Sequence, residues 1–283
     1  MFVETPEEDR GEQAEQAIRE AWGNIATLAG LFHAELDGRL VGAILAQMQR
    51  GKTAIVWLPS LPPAVPDSVA LALTDTLGRW LESQGTVMAQ TLLATVSTKK
   101  EKLLKALQFT YLSDLLYLVA LADQFPSSEP AAVLQFAPVA ADAEGRYAAL
   151  VEATYEGTRD CEGLDGIRKM KDVFDGYRAV GDSGTREWYW VRHGGQDAGC
   201  LILADHPPHG NLELVYMGVA PAWRGRGWGV EIAQWAQWRA GILGRGRLVL
   251  AVDTDNGPAL AAYVAAGFQA WDRRSVYIRV FPS

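Results

Sequence analysis

Hydrophobic positions follow two alternating rhythms along this chain. Period-two alternation predicts a hairpin of strands, Leu31–Leu36 and Leu40–Met48 around Asp37-Gly38, then strands at Ala54–Leu58, Val87–Thr95 and Tyr111–Leu121. Apolar spacings of three and four predict helices over Glu12–Ile25, from a cap at Asp67 to Leu81, and over Lys99–Leu107. Pro59 breaks the third strand, with Pro62, Pro63 and Pro66 behind it, because proline donates nothing to a ladder. Asp123–Pro130, DQFPSSEP, has the composition of a linker.

Beyond that linker the order of elements begins again. Helices are expected at Gly145–Tyr155 and Leu164–Tyr177, and a hairpin at Trp188–Arg192 and Cys200–Ala204 about His193-Gly194-Gly195. A strand Glu213–Val219, a helix reaching about Ala240, a strand Leu248–Val252, a helix Pro258–Ala266 and a closing strand Ser275–Phe281 follow. Gly38-Arg-Leu-Val-Gly42-Ala-Ile-Leu45 lies over Gly195-Gln-Asp-Ala-Gly199-Cys-Leu-Ile202, and Ala106-Leu-Gln-Phe109 over Ala265-Ala-Gly-Phe268. A duplicated α/β unit accounts for this, with one domain at 1–125, a linker at 126–130 and a second domain at 131–283.

Composition narrows the class. Of 283 residues, 49% are hydrophobic and 21% charged, which places the chain among folded globular proteins. A net charge of −8 without a basic run argues against a nucleic-acid partner. Two cysteines, Cys161 and Cys200, make no disulfide framework and fit a reducing, cytoplasmic setting. The polar, acidic first residues do not read as a signal peptide, and no apolar run approaches the length of a membrane span, so no membrane partner is expected.

The stretch Glu213–Gly229, ELVYMGVAPAWRGRGWG, carries the candidate chemistry. A strand ends at Pro221, and Arg224-Gly225-Arg226-Gly227-Trp228-Gly229 runs straight into an apolar helical pattern. Such a turn presents unpaired backbone N–H groups and the positive end of a helix dipole, which together bind anions. Glycines let the backbone approach a pyrophosphate, and arginines add charge-assisted hydrogen bonds. The GxxxxGK of a P-loop is absent, and Gly225-x-Gly227-x-Gly229 lacks the spacing of a dinucleotide fingerprint. Downstream stands Asn256-Gly-Pro-Ala259-Leu-Ala-Ala-Tyr263-Val-Ala-Ala-Gly267-Phe268.

The R-x-x-G-x-G turn after a V-x-P strand end, followed by N-x-x-A-x-x-x-Y-x-x-x-G-F, resembles the signature of the GNAT superfamily of acyl-CoA-dependent N-acetyltransferases. The resemblance implies an α/β (α+β) fold of two tandem GNAT-like domains, each a mixed, mostly antiparallel twisted sheet flanked by helices. It implies acetyl-CoA as co-substrate, an amine acceptor and no metal. Acetyl-CoA would meet Met217, Gly218 and Val219, the loop Arg224–Gly229, Asn256 and Ala259. Tyr263 would be the general acid that protonates the departing thiolate, in the manner of a phenol whose pKa lies near ~10. Its alternative is a core tyrosine with its hydroxyl at the surface.

Glu213 stands on the face of Val215, Met217 and Val219 if the strand alternates regularly, and an isolated carboxylate there is costly unless paired or used. It is a general-base candidate by resemblance, or else a salt-bridge partner or an exposed strand-end residue. His206 and His209, flanking Pro207-Pro208, are alternative bases or turn caps. Tyr155–Asp165 would border the acceptor by resemblance, or else form a solvated loop, and Cys161, with no basic neighbour in sequence, reads as inert. In the first half Leu61–Pro66 replaces the glycine loop, Leu104 stands for Tyr263, Ser97 for Asn256 and Gln108 for Gly267, so that half reads as degenerate. A non-catalytic acyl-CoA-binding sensor or scaffold is the alternative to an enzyme.

Overall fold

A computed structural model describes residues 28–62, 64–130, 133–164, 166–181 and 186–282. The helix expected over Glu12–Ile25, and Pro63, lie outside them. The chain divides into two compact units, one running to Leu112 and including Ser275 onward, the other Ser113–Arg274. Both divisions fall inside strands rather than at the linker expected over 126–130. Among the described residues no helix is long and apolar enough to cross a membrane.

In the first unit, strands β1 (Gly30–Leu36) and β2 (Arg39–Gln49) form the expected hairpin. Asp37 and Gly38 both have positive φ, the backbone of a turn whose twist matches its strands. β2 pairs antiparallel with β3 (Thr53–Ser60), and β3 pairs parallel with β4 (Met88–Leu93) only at Thr53–Ile55. β3 runs through Pro59 instead of ending at it, and the physical reason is visible. The β2–β3 register shifts between Ala43 and Leu45, and no β4 partner faces this stretch, so the missing N–H forfeits no ladder bond.

Helix α1 (Asp67–Ser83) joins β3 to β4. Asp67 is its first residue and not its cap, a place held by Pro66 without a side-chain bond. The helix buries Ala70, Leu73, Leu77 and Leu81, and the last three join Ile44, Val56, Ala89 and Phe109 in one core. Helix α2 (Thr98–Ala106) follows β4, capped by Ser97, whose side chain accepts from the Lys100 N–H. Residues 275–280 of β11 (Gln269–Val280) then pair antiparallel along the whole of β4, Ser275 with Leu93 and Val280 with Met88. Phe281 closes this core at 4% exposure.

The second unit orders its strands β6 (Gln135–Pro138), β7 (Glu187–His193), β8 (Gln196–His206), β9 (Asn211–Val219), β10 (Arg247–Asp253), then residues 115–121 of β5 (Thr110–Leu121). All these pairings are antiparallel except β9 with β10. Helices α3 (Glu144–Tyr155) and α4 (Met170–Ala179) cover one face through Tyr147, Val151 and Phe174 on Trp188, Trp190, Cys200 and Ile202. The second helix begins at Met170 rather than at Leu164, because Gly166 turns into left-handed backbone and the first helical bonds reach Lys169. Helices α5 (Trp228–Ile242) and α6 (Gly257–Ala265) cover the other face through Ile232, Ala236 and Tyr263 on Leu212, Leu214, Leu248 and Leu250.

Buried charge in this unit is paired. Glu187 takes two bonds from Arg239, at 2.8 and 2.9 Å, and Asp205 takes two from Arg245, at 2.6 and 2.9 Å. The fully buried Tyr147 hydroxyl donates to the carbonyl of Leu201 at 2.9 Å, which fixes α3 to the middle of β8.

The closing strand of the first unit yields a test. Phe281→Ala empties a buried aromatic site and should destabilise that unit by about 3–5 kcal/mol. Denaturant unfolding should show a lowered midpoint for one transition, and a variant as stable as wild type would contradict this account of the core.

Candidate active site

The site exists because two neighbouring strands part. β9 and β10 start as partners at Asn211–Glu213 and Arg247–Val249, and no further pair joins them. β9 stays with β8 as far as Val219, while β10 stays with β5 as far as Asp253. Between the parted ends lies a cleft of about 670 Å³, bordered by Met217, Gly218 and Val219 of β9, Ala251 and Val252 of β10 and the start of α5. Backbone groups on the open edge of β9 have no strand opposite them there.

A bulge decides which side chains enter. Ile202 pairs with Tyr216 but Leu203 with Leu214, so Val215 is an extra residue and alternation skips one place. Before the bulge Leu212 and Leu214 face the α5–α6 core; after it Met217 and Val219 do. Glu213 is therefore on the opposite face from Met217 and Val219, contrary to the period-two expectation. It does not line the cleft, and its carboxylate lies 2.9 Å from His206 Nε2. His209 is near the other end of β9, where its carbonyl accepts from Arg247 at 3.0 Å.

The glycine loop lies against the cleft. Gly225 and Gly227 have φ of 79° and 75°, and a Cβ built on either would meet nothing within 4 Å. α5 starts from Gly227 with no side-chain cap; the Val230 N–H turns back to the Gly227 carbonyl at 3.2 Å, and the N–H groups of Trp228 and Gly229 ahead of it are left for a ligand. Gly229 differs, since a Cβ there would lie 3.1 Å from Ala262 of α6, and its smallness serves helix packing. Gly218 likewise admits α3, because a Cβ on it would come within 2.5 Å of Thr154 Oγ1.

Arg224, read from sequence as a phosphate ligand, has each nitrogen engaged with backbone. It donates to the carbonyls of Val219 at 3.0 Å, Gly157 at 3.3 Å and Thr154 at 2.9 Å. The guanidinium thus ties the end of β9 to the end of α3. Arg226 lies over the indoles of Trp223 and Trp228, 5.2 and 5.4 Å from their centroids, and Trp223 and Trp228 stack on each other at 5.5 Å. This aromatic bed holds one cation at the loop.

The far wall comes from α6. Asn256 caps it by accepting from the Ala259 N–H at 3.3 Å, and both residues line the cleft. Tyr263 lines it one turn on, 5% exposed and edge-on to Phe268 at 5.5 Å. Burial raises its phenol pKa, and the nearby Asp160 carboxylate adds to the rise, so the hydroxyl keeps its proton well beyond neutral pH.

Asp160 was not singled out in the sequence, where it was one residue in a polar segment. Among the described residues it is the single acidic side chain lining the cleft, beside Gly157, Thr158 and Arg159. Its pKa is raised, first by the protein packed around the carboxyl and also by the Asp253 carboxylate. The Asp253 N–H at 3.3 Å and the Asn256 side chain oppose that rise. Cys161 beside it has positive φ and a thiol pushed up to about 12 by burial and by Asp160, which keeps it un-ionised. Among the described residues no group of three or more His, Cys, Asp or Glu side chains is placed to hold a metal ion.

Comparison with known proteins agrees with this geometry. Residues 151–268 match the model of the acetyltransferase (GNAT) family. A GCN5-related N-acetyltransferase from Sphaerobacter thermophilus superposes with a TM-score of 0.62 at 17% identity, over 94% of this chain and 85% of that one. A tandem GNAT protein from the clavulanic acid biosynthesis pathway gives 0.55 at 15%, over 89% and 83%. A GCN5-related N-acetyltransferase from Kribbella flavida gives 0.57 at 14%, over 94% and 96%. No functionally curated protein matches the sequence. A parted parallel strand pair, a glycine loop at a helix start and a tyrosine on the facing helix all lie within the matched segment, and residues 151–268 are a domain of the GNAT acetyltransferase family.

Proposed function

We propose that the domain transfers an acetyl group from acetyl-CoA to a primary amine. The observation that carries this reading is the meeting of three groups in one cleft: the uncapped start of α5, the open edge of β9 and the phenol of Tyr263. Open space at Gly225 and Gly227 leaves room for a pyrophosphate against backbone N–H groups. The unpaired edge of β9 at Met217–Val219 offers donors and acceptors to pantetheine amides and to the thioester carbonyl. Asn256 and Ala259 form the opposite wall.

In this reading a neutral amine attacks the thioester carbonyl, and a backbone N–H of β9 holds the oxyanion. Collapse forms the C–N amide bond and breaks the C–S bond, and Tyr263 gives its proton to the sulfur. A phenol with a raised pKa is fully protonated at neutral pH, as an acid requires. Glu213, turned away by the bulge and held by His206, receives no role in proton transfer here.

The first half is a degenerate copy of the same unit. Gln108 and Gly267 both have positive φ, Phe109 N–H bonds to the Leu104 carbonyl as Phe268 N–H bonds to that of Tyr263, and Ser97 caps as Asn256 does. Pro62, Pro63 and Pro66 each remove a backbone donor from the turn that replaces the glycine loop, so one acetyl-CoA per chain is expected. An acidic composition and two free cysteines fit a cytoplasmic enzyme.

Two measurements test this. A carboxylate placed by Gly227→Asp about ~4 Å from a pyrophosphate costs about 4 kcal/mol at an effective dielectric of ~20, or roughly 10³-fold in affinity. Calorimetry should show wild type binding acetyl-CoA at one site and the variant binding far more weakly; equal affinity would put the phosphates elsewhere. Tyr263→Phe should lower turnover roughly 10²–10⁴-fold with acetyl-CoA affinity unchanged. It should also abolish the alkaline limb of the rate profile, which lies above the ordinary tyrosine range because the pKa is raised. Wild-type turnover by the folded variant would exclude Tyr263 as the acid.

A further inference from the structure

Charged side chains line the cleft at two places. Arg226 stands at the glycine loop, over its two indoles, and Asp160, with Arg159 beside it, lines the cleft within electrostatic reach of Tyr263. That carboxylate is positioned from several sides. One oxygen accepts the Asp253 N–H at 3.3 Å, Asn256 bonds to it from the start of α6, and the following residue is fastened by Cys161 N–H to Asp253 Oδ2 at 2.9 Å. Asp253 itself is buried at 4% and occupied by Cys161 and by the Asp255 N–H. Asp160 is thus anchored through one carboxylate oxygen and through the Cys161 N–H beside it, while the residue remains open at the cleft.

We propose that Asp160 binds the acceptor's ammonium group and takes its first proton, so that the enzyme selects amines that are cationic in solution. The inference rests on the acetyltransferase reading and names the acceptor's charge. Two observations support it: among the described residues Asp160 is the only carboxylate lining the cleft, and it is close enough to Tyr263 to act on its ionisation. The reaction needs a base for the amine and an acid for the thiolate, and Asp160 and Tyr263 line the same cleft. The raised pKa of Asp160 makes it a better proton acceptor than an ordinary aspartate.

The protons balance. The ammonium gives one proton to Asp160 and becomes a nucleophile. Its nitrogen bonds to the carbonyl carbon, the C–S bond breaks with its electron pair on sulfur, and Tyr263 protonates the sulfur. The second proton lost from nitrogen restores Tyr263, and the proton on Asp160 leaves to solvent. An amide, a thiol and one released proton result.

The test uses the full chain, acetyl-CoA and two kinds of amine probe. Benzylamine, tyramine and spermidine are ammonium ions at neutral pH, whereas p-anisidine is already neutral. Asp160→Asn keeps an oxygen for the Asp253 N–H and removes only the charge and the basicity. We expect wild type to release CoA with at least one ammonium probe. The variant should then lose roughly 10²–10⁴-fold in kcat/KM for that probe and less than about tenfold for p-anisidine. Its acetyl-CoA affinity and melting temperature should match wild type, which a structural role for the side chain would not allow. Equal loss for both probe types, an undiminished rate in the variant, or wild-type turnover confined to p-anisidine would overturn the proposal while leaving the acetyltransferase reading intact. Failure of wild type to bind acetyl-CoA at all would overturn both.

Discussion

Everything in the second unit follows from three residue pairs that are followed by no fourth. Parallel pairing of β9 with β10 ends at Glu213 and Val249, and beyond that point each strand is held only from its far side, β9 by β8 and β10 by β5. A sheet that opened without such support would expose backbone donors and acceptors at several kcal/mol each in a dry interior. Here the exposed edge is the feature a polar, extended ligand requires. The cleft is therefore produced by the topology of the sheet, and side chains only trim it.

The trimming is done by residues whose roles are less obvious than their types suggest. Arg224 looks like a phosphate ligand and acts as a tie between β9 and α3. Gly229 looks like part of a phosphate turn and makes room for Ala262. Gly218 stands within a strand, one residue from its end, where glycine weakens pairing, because Thr154 and the Tyr216 hydroxyl occupy the space of its side chain. The remaining positive charge of the loop, Arg226, is carried on aromatic faces, where an exposed guanidinium keeps its place without a carboxylate partner that would compete with an anionic ligand.

What the sequence revealed and what it hid separate along one line. Gly225, Gly227, Asn256 and Tyr263 were legible because each serves a local geometry whose residue requirement is nearly unique: left-handed backbone, a helix cap, a fixed offset along one helix. The bulge at Val215 was not legible, since one extra residue in an apolar strand changes no composition and no propensity, yet it turned Glu213 to the other face. Asp160 was hidden because its significance depends on Asp253, Asn256 and Tyr263 arriving from two other elements. The strand through Pro59 was misread for a related reason, since a proline is excluded only where a partner strand waits for its N–H.

The first unit's last strand has a consequence for how the protein comes into being. β4 is complete in the nascent chain long before residues 275–280 exist, and its pairing of Leu93 with Ser275 spans most of the sequence. A ribosome-bound intermediate must hold the edge of β4 bare while the second unit is made, an arrangement of high contact order and a standing template for mispairing. Folding of the first unit therefore waits for the synthesis of residues 275–280, and shielding of that edge until then would fall to chaperones or to transient structure within the chain itself.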